Sequence, residues 1–223
     1  MSARPEAVLF DFDGTLVHIA IDFEAMRNNA AAVVRSYGEQ PDAGLFTLEM
    51  VESVRDRLAQ RDPVSAQAFQ EEAMASIQEV ELAATGKAQP LPGVVRTLDW
   101  LRDQGIAIGI VTRNCRSAVR AVTQTYSLAF DALLTRDDVR HVKPHPEHLL
   151  AALRCLGTTP GKSIMVGDHP TDIAAAHAAG MTAIAVTTTR PADAFDSRPE
   201  FIVNDMAELI DIIETGAWLR EHQ

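Results

Sequence analysis

Short apolar runs recur along this 223-residue chain, and most are separated by segments with helical spacing. The runs comprise residues 7–10, 106–111, 163–166, 183–186 and 201–203, with a weaker candidate at 133–134. Apolar runs of this length that contain β-branched residues are typical of buried strands. Since parallel strands need crossover connections and helices supply them, the alternation predicts a parallel sheet covered on both faces. The predicted fold class is therefore α/β with a Rossmann-like sheet.

One stretch, from about residue 21 to residue 88, breaks this alternation. It contains no strand-like run, and its apolar residues recur at helical spacing, as at Val51, Val54 and Leu58. Residues 89–93, with two prolines and a glycine, then suit a linker that returns the chain to the strand-and-helix alternation. The sequence therefore predicts an all-helical insertion.

Composition limits the partners and the location that we expect. A formal net charge of -11 disfavours nucleic acid and anionic membranes, because binding either depends on clustered lysine and arginine. No apolar run reaches the length of a membrane span. The two cysteines, Cys115 and Cys155, form no CxxC pair and so predict neither a disulfide framework nor a zinc site. We expect a cytoplasmic protein.

Two aspartates follow the first predicted strand directly, in the segment Asp11-Phe12-Asp13-Gly14-Thr15. The carboxyl end of a strand is where parallel α/β folds bind ligands, and side chains two residues apart share a face of an extended chain. Two neighbouring carboxylates repel each other unless a proton or a cation is present, and Mg²⁺ is a cation that oxygen ligands hold. The pair predicts a magnesium site, while an acidic turn or a calcium loop fits the motif alone.

Polar residues also follow three later predicted strands. They are Thr112, Arg113 and Asn114 after the second long strand, Lys143 after the weaker strand, and Asp168 and Asp172 after the third long strand. Asn114 is predicted to cap a helix whose free N–H groups could bind an anion. Phosphoryl transfer needs positioning and compensation of negative charge. The set offers a nucleophile, an acid/base, a hydroxyl, a cation and metal ligands, which indicates phosphoryl chemistry.

With these motifs the sequence resembles the haloacid dehalogenase-like hydrolase superfamily, in particular its phosphoglycolate phosphatase-like branch. The resemblance implies that Asp11 is the nucleophile that forms an aspartyl-phosphate. It implies that Asp13 is the acid/base that protonates the leaving oxygen and later activates water. Thr112 and Lys143 match the residues that bind the transferring phosphoryl group. A carboxylate at the position of Asp13 favours phosphate chemistry over dehalogenation.

The same resemblance implies a Mg²⁺ site. Asp11, the backbone carbonyl of Asp13 and Asp168 match the metal ligands, and Asp172 matches an acidic position that supports the metal directly or through water. It also implies a helical cap at the insertion. We predict a core of residues 1–17 and 91–223, with a cap of residues 18–90 that closes over the substrate.

The sequence departs from the family pattern at two points. Arg113 separates Thr112 from Asn114, where relatives commonly have asparagine directly after the threonine, and His18 lies where acidic residues are frequent. We hypothesise that Arg113 recognises a second anionic group of the substrate, with a solvated loop arginine as the alternative.

Four other histidines and one cysteine receive no catalytic assignment. His145, His148, His169 and His177 show no recognisable metal-ligand spacing, and we interpret them as structural or surface residues. Cys115 is interpreted as a small buried residue.

The predicted function is Mg²⁺-dependent hydrolysis of a small phosphorylated metabolite by a monomer or a homodimer. Three alternatives remain at this point: a phosphotransferase or phosphomutase of the same superfamily, a receiver-like phospho-aspartate signalling module, and a binding protein without catalysis. Thr15 opposes the mutase, since mutase-like relatives often carry an aliphatic residue there. The helical insertion opposes the receiver, and the complete set of catalytic positions opposes the binding protein.

Overall fold

The computed structural model describes residues 4–195 and 197–219. The chain divides into two compact units. The core unit consists of Met1–Ile19 and Ala88–Gln223, and the helical unit consists of Ala20–Lys87.

The described residues contain eight strands, all of them in the core unit. They are β1 (Ala7–Phe10), β2 (Val17–His18), β3 (Gln89–Pro90), β4 (Ala107–Val111), β5 (Ala132–Leu134), β6 (Ser163–Gly167), β7 (Thr182–Val186) and β8 (Phe201–Val203). Six of them form a parallel sheet in the order β5-β4-β1-β6-β7-β8. The predicted α/β, Rossmann-like fold is confirmed, and each predicted strand, including the weaker one at 133–134, lies in this sheet.

Five α-helices of the core unit connect or follow these strands. They are α4 (Val94–Asp103), α5 (Arg116–Thr125), α6 (Glu147–Leu156), α7 (Pro170–Ala179) and α8 (Met206–Thr215). The central strand β1 is completely buried, as the near-continuous apolar runs of parallel strands require. Strand β1 lies between β4 and β6, where the direction of winding reverses. The carboxyl ends of these strands therefore meet at the position where doubly wound sheets bind ligands.

The first two residues of the segment predicted to be a linker form a short strand. Gln89 and Pro90 form β3, which pairs antiparallel with β2 through Val17 and His18. The pairing continues beyond the strand, because the Leu91 amide donates to the Leu16 carbonyl at 3.0 Å. Proline is tolerated there because this sheet has two strands, so each strand has a free edge.

Three helices make up the helical unit: α1 (Phe23–Ser36), α2 (Thr47–Ala59) and α3 (Pro63–Thr85). Aspartates cap two of them: Asp22 accepts from the Ala25 amide at 2.8 Å, and Asp62 accepts from the amides at the start of α3. Their apolar faces pack into one cluster of buried side chains. The predicted all-helical character of this stretch is confirmed.

Among the described residues, none of the helices has the length and the apolar character that a bilayer crossing requires.

Packing between β4 and its neighbours generates a stability prediction. A Cβ at Gly109 would overlap the buried Leu9 side chain and lie 3.3 Å from Leu156 Cδ1. We expect Gly109→Ala to lower the free energy of unfolding by about 1–3 kcal/mol, because an overpacked core must shift. Gly161→Ala is the matched control, since a Cβ at Gly161 meets nothing within 4 Å. Urea unfolding measures both, and equal stability of the two variants would contradict the packing argument.

Candidate active site

Two of the polar residues predicted to form the site, Asp11 and Thr112, directly follow central strands. Their backbone amides continue the hydrogen-bond ladders of these strands. Asp11 comes directly after β1, and its amide donates to the Val166 carbonyl of β6 at 2.9 Å. Thr112 comes directly after β4, and its amide donates to the Leu134 carbonyl of β5 at 2.9 Å. The sheet itself therefore places these residues at one edge, as expected for parallel strands.

A buried lysine joins three of the elements at this edge. Lys143 is 1% exposed, and its Nζ lies 2.6 Å from Asp11 Oδ1 and 2.7 Å from Asp172 Oδ1. The third ammonium donor goes to the Val111 carbonyl at 2.7 Å. An ammonium group has three donors, so its hydrogen bonding is complete. Burial disfavours the charged form, but Asp11 and Asp172 together raise the pKa of Lys143 above its ordinary value.

The segment that carries Lys143 is fixed by a second buried group. The Lys143 amide donates to Nδ1 of His148, which is fully buried on α6, at 3.4 Å. Burial and then the neighbouring Lys143 charge lower the pKa of His148 to about 3. His148 is therefore a neutral acceptor, which accords with its interpretation as a structural residue.

Three carboxylates form a cluster, and two of them pair with Lys143. Oxygens of Asp11, Asp168 and Asp172 lie within 4.8 Å of one another, a spacing that could hold a metal ion. Burial raises the pKa of Asp11, an effect that Lys143 offsets only in part. Burial and then the Asp11 charge raise the pKa of Asp168. The cluster has more negative charge than one ammonium group balances, so it requires protons or a cation.

Asp172 is positioned by the start of α7. Its Oδ2 accepts from the His169 amide at 3.1 Å, while Oδ1 pairs with Lys143. His169 is the N-cap of α7 and accepts from the Thr171 amide at 3.2 Å. A Cβ at Gly167 would overlap the Asp172 side chain, so a glycine at the end of β6 makes room for this carboxylate. Both oxygens of Asp172 are thus already engaged.

Asp13 lies half-buried beyond Asp11 and differs from it electrostatically. Its Oδ1 accepts from the Ile19 amide at 3.2 Å. Burial and then the Asp11 charge raise the pKa of Asp13 from 3.8 to about 7. A carboxyl group with a pKa near neutrality can both donate and accept a proton, which is the requirement for an acid/base.

Two hydroxyl groups orient Asp168, and only one belongs to the motif read from the sequence. Thr15 donates to Asp168 Oδ1 at 3.3 Å, and Thr189 donates to Asp168 Oδ2. Thr189 follows β7 and was missed by sequence reasoning. Its position after β7 could have identified it, because β7 is next to β6 and the carboxyl ends of neighbouring parallel strands lie close together.

Gly14 allows the first loop to approach Asp168. It has a φ of +81°, and a Cβ there would overlap the Asp168 carboxylate. Only glycine adopts this conformation at low cost in so little space. The carbonyl of Gly14 accepts from the Thr188 hydroxyl, so the loops after β1 and β7 are joined directly.

The loop after β4 corrects one prediction. Thr112 is buried, and its Oγ1 accepts from the Asn114 amide at 3.1 Å. The N-cap of α5 is Cys115 rather than Asn114, because Asn114 Oδ1 accepts from the adjacent Cys115 amide at 2.9 Å and does not reach the helix amides. Among the described residues, the buried Asn114 Nδ2 has no hydrogen-bond partner. Cys115 is buried, as interpreted from the sequence.

Arg113 lies partly exposed at the same loop. Its carbonyl accepts from Arg136 Nη1 at 3.1 Å. Burial first, and then the charges of Arg190 and Arg113, lower the pKa of His169 to about 4. Two arginines therefore contribute positive potential beside the carboxylate cluster.

The raised pKa of Asp13 generates a prediction for the metal-free protein in EDTA. The folded state binds the Asp13 proton more tightly than the unfolded state, so this contribution to stability is complete below about pH 4 and is lost as the pH rises through about 7. We expect Asp13→Asn to be more stable than the parent at pH 8 by about 1–3 kcal/mol, with little difference at pH 4. Urea unfolding across this range is the measurement. Asp99→Asn, at a half-exposed carboxylate paired with Arg102, is the control and should show the same dependence of stability on pH as the parent. If all three proteins show the same dependence, the raised pKa of Asp13 is refuted.

The sequence is similar to those of known proteins. Residues 8–186 match a family model described as haloacid dehalogenase-like hydrolase. Pyrophosphatase PpaX of Bacillus cereus (strain AH820) is 39% identical over 124 residues, which are 54% of this chain and 57% of the relative. The chain thus spans little more than half the length of the curated relatives it matches.

Solved structures show the same fold over nearly the whole chain. A HAD phosphatase from Thermococcus onnurineus is 29% identical, with a TM-score of 0.61 and coverage of 93% of this chain and 97% of that one. A predicted phosphoglycolate phosphatase from Haemophilus somnus 129PT is 21% identical, with a TM-score of 0.62 and the same coverage, and supports the fold alone. Since the family model covers most of the sequence, the chain belongs to the haloacid dehalogenase-like hydrolase family.

Proposed function

We propose that this protein is a Mg²⁺-dependent phosphatase that hydrolyses a small phosphorylated metabolite through an aspartyl-phosphate on Asp11. The observation that carries the proposal is the buried Lys143, held between Asp11 and Asp172 at the edge of the sheet. An ammonium group at this place offsets part of the rise that burial causes in the pKa of Asp11, and it provides positive charge for a phosphoryl group. The raised pKa of Asp13 adds an acid/base beside the nucleophile.

The donor set fits Mg²⁺. The three clustered side chains offer only carboxylate oxygens, which are the ligands that this hard cation prefers. A divalent cation would also compensate the excess negative charge that raises the pKa values of Asp11 and Asp168. Asp11, Asp168 and the Asp13 carbonyl would hold the ion. Asp172, whose Oδ1 pairs with Lys143, would support the ion directly or through water.

The proposed reaction has two displacement steps. In the first, an Asp11 carboxylate oxygen forms a bond to phosphorus, the bond to the leaving oxygen breaks, and Asp13 gives that oxygen its proton. In the second, Asp13 takes a proton from water, the water oxygen forms a bond to phosphorus, and the bond from phosphorus to the Asp11 oxygen breaks, which releases inorganic phosphate and the Asp11 carboxylate. The Thr112 hydroxyl and the buried Asn114 amide would bind the phosphoryl oxygens, and Lys143 would do so by exchanging one of its three present acceptors for a phosphoryl oxygen. Bound Mg²⁺ would supply further positive charge to those oxygens.

A second candidate substrate is inorganic pyrophosphate. The relatives that share 39% identity over 124 residues carry the name pyrophosphatase. Arg113 and Arg190, whose charges act on His169, could bind the phosphate that leaves, since guanidinium groups bind phosphate in bidentate fashion. The same arginines would suit a carboxylate on a phosphorylated metabolite such as phosphoglycolate.

Several further expectations stay predictions from the sequence. They are the cytoplasmic location, the absence of nucleic acid and membrane partners, the choice between monomer and homodimer, and the lid role of residues 18–90.

A phosphate-release screen tests the proposed function. Small phosphomonoesters and pyrophosphate are assayed with Mg²⁺ and with EDTA. We expect turnover only with Mg²⁺, and a loss of at least about a thousandfold in kcat for Asp11→Asn, because the nucleophile is removed. Asp99→Asn should retain activity. Turnover that survives Asp11→Asn, or no release from any substrate, would reject the proposal.

Substitution of Arg113 tests recognition of a second anionic group. We expect Arg113→Met to lower kcat/KM about tenfold for pyrophosphate or phosphoglycolate, because one charge-assisted contact is lost, and to affect much less an alkyl phosphate that has no second anionic group. Arg120→Met, at an exposed arginine of α5, is the matched control. An equal loss for all substrates would show that Arg113 does not discriminate among them.

A further inference from the structure

A second group of potential metal ligands lies in the segment that leads into α6. It consists of His141, His145 and Glu147, one ligand atom of each lying within 4.8 Å of the other two. His141 Nδ1 is 2.7 Å from Glu147 Oε2, and His145 Nδ1 is 4.0 Å from the same oxygen. The two imidazole rings face each other with centroids 4.7 Å apart.

The donor chemistry of this group differs from that of the carboxylate cluster. Two imidazoles and one carboxylate form an N, N, O set, which suits zinc and neighbouring transition metals, whereas Mg²⁺ prefers oxygen ligands. Zinc takes such ligands at about 2.0–2.2 Å and can complete a tetrahedron with water. We propose that His141, His145 and Glu147 form a zinc site separate from the catalytic centre.

The geometry can accommodate the ion with small side-chain movements. Ligand atoms around zinc lie roughly 3.3 Å apart in a tetrahedron, so the His141–Glu147 contact must open by about half an ångström and His145 must move closer. The side chains of His141, His145 and Glu147 are 39%, 53% and 34% exposed, so solvent-facing rings can rotate without repacking a core. The backbone amide of Glu147 donates to His145 Nδ1 at 3.2 Å, so zinc bound at this nitrogen would replace that hydrogen bond.

The position of the group gives the site a structural consequence. All three ligands fall within seven residues of sequence, and Lys143 lies between the two histidines. Zinc bound here would fix both sides of the residue whose ammonium holds Asp11 and Asp172. The site would therefore stabilise the lysine-bearing segment from outside the catalytic centre.

An ordinary histidine–glutamate ion pair is the competing explanation, and the chain contains a control for it. His177 lies 3.2 Å from Glu200 and, among the described residues, belongs to no group of three potential ligands. Both pairs are partly exposed contacts between a histidine ring nitrogen and a glutamate carboxylate, and the pair of His141 and Glu147 has a third potential ligand beside it. Only the pair that includes His145 should bind zinc with a defined stoichiometry.

The experiment is a calorimetric titration of the tag-free full chain with Zn²⁺ in a large excess of Mg²⁺. The Mg²⁺ competes for the carboxylate cluster, and the Asp168→Asn variant, titrated in parallel, removes one ligand of that cluster. We expect one zinc to bind in both proteins. His141→Ala and His145→Ala should each weaken binding by at least about tenfold, because even loss of an outer-shell partner costs about 10- to 100-fold.

The controls separate the proposal from misfolding and from the ion-pair explanation. His177→Ala should bind zinc like the parent, and Glu147→Gln should weaken binding while it keeps the size of the side chain. Circular dichroism confirms that each variant is folded. Absence of zinc binding by the parent, binding unaffected by His141→Ala and His145→Ala, or binding abolished by Asp168→Asn would overturn the proposal. These outcomes are independent of the phosphate-release screen.

Discussion

The buried ammonium group of Lys143 is the interaction on which the rest of the site depends. It joins the end of β1 through Asp11, the end of β4 through the Val111 carbonyl, and the start of α7 through Asp172. A buried charge is costly unless it is paired and fully hydrogen-bonded, and here each of the three ammonium donors has an acceptor. The neutral His148 beneath the same segment accepts the Lys143 amide, so both the backbone and the side chain of this residue are fixed.

This arrangement leaves an electrostatic imbalance that has a chemical use. Burial and mutual repulsion raise the pKa values of Asp11, Asp13 and Asp168, because one ammonium group cannot balance so many carboxylates. The imbalance would destabilise a purely structural site. At a site that binds a cation, the excess negative charge provides affinity for that cation. Burial and the Asp11 charge raise the pKa of Asp13 to about 7, so this carboxyl group can exchange a proton near neutral pH.

Much of the fold could be predicted from the sequence, because buried parallel strands appear as apolar runs whatever their order in the sheet. The positions of residues at strand ends also identified Asp11, Lys143 and Asp168 as neighbours, and Thr112 lies at the end of the adjacent strand β4. Predictions from local residue type were less successful. Asn114 accepts from the next amide instead of capping α5, and the proline-containing β3 pairs as a strand. Thr189 was missed although it follows a strand next to β6, and the group around His141 was missed because the approach of its three side chains is visible only in the structure.

The sequence by itself determined which residues stand at the ends of strands, since hydrophobic periodicity is a local property. Only the tertiary structure decided how these ends combine. The ion pair between Lys143 and Asp11 spans 132 residues of sequence, and it exists because the sheet order places β1 between β4 and β6. The proton affinities were likewise decided by the fold, because desolvation and the distances between charges arise only when the chain is packed.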